Sequence, residues 1–226
     1  MKKRAKEAQN QIHFDQYEKK GPVIFGPMTS YIWRDDPKHI GFIFARYKFA
    51  AKLLAGKKEV LEIGCGDAIA TPVVAQVVEK VYSTDFEPLV IEDNKKRLRD
   101  FPSIQFSLLD ITKKPFEKKC DGVFTLDVIE HIEPTLEGKF FQHVCKSIKK
   151  DGVCIIGTPN IEAHRFASKG SREGHINLKS YKDFGKLIQT YFTNGFIFSM
   201  NDEVVHTGFY PMAHYLFMVG VGVKNT

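Results

Sequence analysis

A chain of 226 residues is long enough to bury one sizeable core, and a composition of 43% hydrophobic and 27% charged residues excludes a disordered or fibrous protein. Lysine and arginine exceed aspartate and glutamate by 33 to 27, a net charge of +6 that gives only a slight bias toward acidic partners. The four cysteines form no C-x-x-C pair and the longest apolar run, residues 215–223, is too short to span a bilayer, so a cytoplasmic protein with no membrane span and no structural metal is expected.

Residues 1–20 are polar and charged without an apolar period, and the run Lys2, Lys3, Arg4 and Lys6 makes them basic. They read as an arm, mobile or ordered by a partner. Residues 1–34 together form this N-terminal arm and a candidate lid, and residues 35–226 a single domain. The first strong element opens at Asp35-Asp36-Pro37, an N-cap followed by proline, and carries Ile40, Ile43, Phe44, Tyr47, Ala51 and Leu54 at helical spacing until Gly56. Short apolar runs at 59–63, 81–84, 104–108, 122–126 and 153–157 then read as strands. Helical segments at 71–80, 88–98 and 136–148 and an irregular crossing at 111–116 alternate with them. Repeated β-α-β units imply a parallel sheet with helices on both faces. Ser180 and Asp183 stand in capping-box spacing at the head of a helix to residue 191. The runs 196–200 and 215–223 are strands with no helix-length segment between them, so they pair antiparallel. The expected fold is α/β: a doubly wound, Rossmann-like, seven-stranded sheet whose last strand is reversed.

Three strand ends carry chemistry. After the first strand, Gly64-Cys65-Gly66-Asp67-Ala68 is a glycine-rich turn before a helix, where the backbone can approach a ligand. Its spacing is not the G-x-G-x-x-G of a dinucleotide site. Asp85 ends the second strand about twenty residues on, placed to accept hydrogen bonds from ribose hydroxyls. Asp110 follows the third strand and could meet the exocyclic amine of an adenine.

With these features the sequence resembles the class I S-adenosylmethionine-dependent methyltransferases. The resemblance is carried by Glu62-Ile63-Gly64-Cys65-Gly66, Thr84-Asp85, Leu109-Asp110 and the stretch Asp127-Val128-Ile129-Glu130-His131-Ile132, the last looking most like the small-molecule (quinone and sugar) branch. It implies S-adenosyl-L-methionine as cofactor and Glu62, Gly64, Gly66, Asp85, Asp110 and Asp127 as cofactor residues, with Phe86 beside the adenine. Ala68 replaces the third glycine of the family pattern, and no N-P-P-Y motif of amino-methylating nucleic-acid enzymes is present.

An acceptor hydroxyl needs a base, and His131, His175 and His206 are the candidates, His131 directly after strand four and His206 beside Glu203 in the last hairpin. One Glu130-His131 pair is too little to assign a metal. The segment from Thr158 to Ser180 is long for a connection and is expected over the acceptor pocket. It supplies His164, Arg165, Arg172 and Asn177 as substrate contacts, joined by Glu203 and Tyr210, and its Arg165, Lys169 and Arg172 suggest a phosphate-bearing acceptor. The favoured function is O- or N-methylation of a small, anionic or sugar- or nucleotide-linked metabolite. An RNA or protein methyltransferase and a non-catalytic nucleotide-binding module remain open, and the sequence is silent on oligomeric state.

Overall fold

The computed structural model describes residues 4–224, so Lys2 and Lys3 of the basic arm lie outside the described residues. Eight strands form one sheet: β1 (Glu59–Ile63), β2 (Lys80–Asp85), β3 (Ile104–Leu108), β4 (Cys120–Leu126), β5 (Ile148–Pro159), β6 (Phe192–Asn201), β7 (Val204–His206) and β8 (Tyr215–Val223). Their order is β3-β2-β1-β4-β5-β8-β6-β7. The first five run parallel, β8 lies antiparallel between β5 and β6, and the three-residue β7 folds back on β6 through the turn at Asp202. The α/β architecture and reversed last strand are as expected. Among the described residues the count is eight rather than seven, because β7 is too short to show an alternating pattern.

The helices are α1 (Gln11–Lys20), α2 (Pro27–Asp35), α3 (His39–Leu54), α4 (Thr71–Ala75), α5 (Pro88–Arg97), α6 (Glu137–Lys146), α7 (Lys169–Gly174) and α8 (Tyr181–Tyr191). Alternation along the strands sends side chains to opposite faces. Val60, Val81, Phe124, Ile155 and Phe217 meet Tyr47, Ala51 and Leu54 of α3 and Val74 of α4. Leu61, Val123, Cys154 and Met218 meet Phe140, Phe141 and Val144 of α6 and Phe184 of α8. A smaller cluster joins Ile91 of α5 to Cys65 and Ala68 at the glycine turn. The capping box of α8 forms in both directions between Ser180 and Asp183.

Two elements differ from expectation. Residues 27–35 form a helix of their own, and Asp36, expected to open α3, is instead the C-cap of α2, with α3 starting at His39. The helix expected over 71–80 stops at Ala75, after which the chain turns directly into β2. Among the described residues no helix is long and apolar enough to cross a membrane. All four cysteines are free and buried, and burial pushes their thiols up, Cys145 to about 11.

Candidate active site

The glycine turn is held from three sides. Gly64 N and Cys65 N donate to Thr84 O, Gly66 N donates to Asp85 Oδ2 at 2.9 Å, and Asn94 Nδ2 and Arg97 Nη2 of α5 donate to the carbonyls of Gly66 and Asp67. Gly64 has φ +75° and a Cβ there would lie 2.3 Å from Val128 Cγ2, so only glycine fits. Ala68, where the family pattern has glycine, keeps φ +53°, a left-handed backbone that costs a non-glycine residue about 1–2 kcal/mol. The turn therefore follows the path a glycine would take.

Asp85 accepts from Gly66 N and from Glu87 N at 3.0 Å, which leaves each of its oxygens a lone pair for a ribose hydroxyl. Phe86 is 70% exposed beside it, an open aromatic face for a base. Asp110 bonds Thr112 and pairs with Lys113 at 2.9 Å; although desolvation raises its pKa, the bonds from Thr112 and Lys113 together hold its carboxyl below the ordinary range. Glu62 is corrected. Its side chain shares the Val60 face of β1, fully covered by α3 and α4, and accepts from Tyr47 (2.7 Å), Thr71 (2.8 Å) and Ser83 (2.6 Å). It braces the turn from beneath, with both carboxylate oxygens engaged by buried hydroxyls.

The candidate lid also docks here. Asp67 accepts from Thr29 N at 2.7 Å and Thr29 Oγ1 at 2.9 Å, so a carboxylate 38 residues away satisfies and stabilises the N-terminus of α2. A Cβ on Gly26 would meet Asp67 Cβ at 2.4 Å, which makes the contact close.

Beyond the carboxyl end of β4 opens a cavity of about 680 Å³. It is walled by Tyr31 of α2, by His39, Phe42, Ile43 and Arg46 on one face of α3, and by the 159–178 segment through His164, Ser168 and His175. Asp127, with φ +59°, sits at its floor and takes both of its carboxylate bonds from Arg46 Nη1, at 2.9 and 3.0 Å. Although burial opposes the charge on Arg46, Asp127 keeps its pKa above the ordinary value. Arg46 also lies 4.1 Å over the ring of Tyr215, which fixes the guanidinium plane. Glu130 is fully buried, accepts from Thr158 Oγ1 at 2.9 Å, and is pushed up to about 8 by burial and by Asp127.

His131 and His175 reach this cavity with their rings 5.1 Å apart. His131 Nδ1 is 2.9 Å from the carbonyl of Gly174, which can only accept, so Nδ1 carries a proton and in the neutral ring Nε2 is the nitrogen with the lone pair. Burial, then the neighbouring His131, lowers the pKa of His175 and keeps it neutral. His206, the third candidate base, stands apart from the other two. Its Nε2 bonds Asn201 Oδ1 at 2.9 Å and its Nδ1 accepts from Gly208 N at 2.9 Å, so both nitrogens are engaged in closing the β6–β7 hairpin, outside the cavity wall.

Among the expected acceptor contacts, only His164 lines the cavity. Arg165 stacks on Phe166, Arg172 donates to Ala167 O, Asn177 joins Glu137 to Lys179, Tyr210 stacks on Tyr181 at 4.6 Å, and Glu203 faces Gly41. The basic residues that suggested a phosphate do not face the cavity, whose walls hold Asp35, Asp36, Asp127, Glu130 and Asp202 against Arg46. Sequence reasoning missed His39, Arg46 and His214, which also line the cavity. The signal for the first two was polar side chains seven apart, one helical face, hidden within the apolar period of α3.

Residues 61–156 match the methyltransferase domain family. Over that span the chain is similar to methyltransferase domains. A probable S-adenosylmethionine-dependent methyltransferase of Mycobacterium tuberculosis is 23% identical over 121 residues, 52% of this chain and 42% of that protein. A malonyl-[acyl-carrier protein] O-methyltransferase of Ilyobacter polytropus is 26% identical over 44% of this chain and 37% of its own. The chain thus spans about two-fifths of the length of the curated relatives it matches. Among solved structures, the methyltransferase domain of bacterial CtHen1-C aligns with TM-score 0.66 and 16% identity over 80% of this chain and 99% of that one. The N-methyltransferase NodS of Bradyrhizobium japonicum, in complex with S-adenosyl-L-homocysteine, aligns with TM-score 0.60 and 17% identity over 84% and 91%. These structures share the class I methyltransferase fold with this chain.

Proposed function

We propose that the chain transfers the methyl group of S-adenosylmethionine to a hydroxyl or amine of a small neutral or cationic acceptor seated in the 680 Å³ cavity. The observation that carries this reading is the position of that cavity, opening at Asp127 on the carboxyl end of β4, one strand from the glycine turn. A cofactor lying across Asp110, Asp85 and Gly66 ends with its sulfonium at this point. The acceptor lone pair attacks the methyl carbon, and the carbon–sulfur electrons pass to sulfur, giving neutral S-adenosylhomocysteine. The main demand is alignment of nucleophile and methyl. A hydroxyl must also lose its proton, and the free nitrogens of His131 and His175 border the cavity to receive it.

The walls argue against the anionic acceptor suggested by the loop arginines, because Arg46 is already paired with Asp127 while Asp35 and Asp202 add negative charge to the lining. The experiment is formation of S-adenosylhomocysteine, followed by mass spectrometry, across matched sets of amines, neutral polyols and sugars, and sugar phosphates. Turnover confined to the first two sets is expected. Turnover of the phosphates alone would overturn the acceptor assignment, and no cofactor binding would overturn the activity itself.

A further inference from the structure

Three ligand-bearing side chains meet in the cavity wall: Glu130, His131 and His175, whose donor atoms all lie within 4.8 Å of one another. The meeting is built by the backbone. The carbonyl of Glu130 accepts from Ile176 N at 2.8 Å and Asn177 N at 3.0 Å, pinning the end of the 159–178 segment to the end of β4 and delivering His175 to the Glu130-His131 pair. Glu130 is fully buried, yet its Oε1 has no hydrogen-bond partner, and Nδ1 of His175 is likewise buried and unpartnered. An unsatisfied buried carboxylate oxygen costs about 1–3 kcal/mol or more, so its placement calls for a partner.

We propose that these three residues hold a divalent first-row transition-metal ion at the acceptor end of the cavity. One carboxylate oxygen and two imidazole nitrogens, with no thiolate, suit manganese, iron, cobalt or zinc better than magnesium or calcium, which take all-oxygen shells. The supporting shell is present. Thr158 Oγ1 fixes Glu130 through its other oxygen, and the Gly174 carbonyl takes the proton on Nδ1 of His131, turning the Nε2 lone pair outward. Arg46, the arginine on the cavity wall, is paired with Asp127 rather than with Glu130. Three protein ligands leave coordination positions open to the cavity, where an acceptor oxygen binds, is acidified, and releases its proton to solvent before attacking the methyl carbon. With the ion bound the imidazoles act as ligands, and the ion takes over from them the removal of a hydroxyl's proton. This inference rests on the methyltransferase reading only for its use, not for the site.

The test titrates the folded, metal-stripped chain with Mn2+ alone, followed by loss of the free-ion electron paramagnetic resonance signal, and with Co2+ alone, followed by visible absorption. One equivalent of each is expected to bind, with Mg2+ in equal concentration failing to displace it. His175→Ala and Glu130→Gln, checked for folding by circular dichroism, should weaken binding on the order of 10–100-fold, whereas His206→Gln should not. S-adenosylhomocysteine binding, measured separately by calorimetry, is expected to survive in all three variants. Absence of a stoichiometric Mn2+ or Co2+ site in the folded wild type, or unchanged affinity in both ligand variants, overturns the proposal. Metal binding without any cofactor binding leaves the site standing and overturns the function instead.

Discussion

Removing the carboxylate of Glu62 should destabilise the protein more than any other polar change near the glycine turn. Tyr47 of α3, Thr71 ahead of Pro72 in α4 and Ser83 of β2 all donate to it, and all of these atoms are buried. Glu62→Leu leaves three buried hydroxyls without their acceptor at about 1–3 kcal/mol each. Local rotation of the hydroxyls and relief of a desolvated carboxylate offset part of this, so we set the net loss at about 4 kcal/mol. At about 2–4 °C per kcal/mol for a chain of this size, the melting temperature falls by roughly 8–16 °C. Glu62→Gln keeps one acceptor oxygen and should cost about 1–2 kcal/mol. A pH dependence follows as well. Burial raises the folded-state pKa of Glu62 above its unfolded value, so the unfolded chain loses its proton first and the contribution of Glu62 falls as pH rises from the ordinary carboxylate range. The gap between wild type and Glu62→Gln should narrow correspondingly. Thermal unfolding by circular dichroism and calorimetry reads all of this, and melting temperatures within about 2 °C of wild type for both variants would refute the bracing role.

Gly64→Ala combines a left-handed backbone with a contact on Val128 and should cost about 2–5 kcal/mol of stability along with S-adenosylhomocysteine affinity, by chemical denaturation and calorimetry. His131→Gln and His175→Gln should each lower single-turnover methyl transfer about 100-fold or more at saturating cofactor. His206→Gln should stay within about twofold of wild type, as a hairpin residue outside the cavity would. The double variant Arg165→Ala, Arg172→Ala should leave the acceptor KM within about twofold, because neither side chain faces the cavity.

The sheet was legible because its signals are local. Five buried runs bounded by turns, a capping box at Ser180 and two late strands without a helix between them dictate the parallel core and the reversed edge. What escaped depends on contacts distant in sequence. Residues 27–35 carry the proline-first signature of a helix, but the group that stabilises its start is Asp67, 38 positions away. Glu62 belongs to a strand buried on both faces, where alternation gives no exposed side, and only the positions of Tyr47, Thr71 and Ser83 show which way it points. The acids at the ends of β2 and β3 could be singled out as candidates because strand ends in such a sheet share one edge. The cavity wall was not, since His39 and Arg46 lie in a helix otherwise read for its apolar stripe, and the loop arginines turn out to bond within their own segment. His175 and the Glu130-His131 pair were each singled out; that they meet became visible only when the Glu130 carbonyl drew residues 176 and 177 onto the end of β4.

The most direct test of the account is calorimetric titration of S-adenosylhomocysteine into the wild-type chain and into Asp85→Ala. The account predicts one site per chain in the wild type and a loss on the order of 30-fold, about 2 kcal/mol, when the ribose acceptor is removed from a protein that still folds. Unchanged affinity in folded Asp85→Ala, or no binding by the wild type, would contradict it.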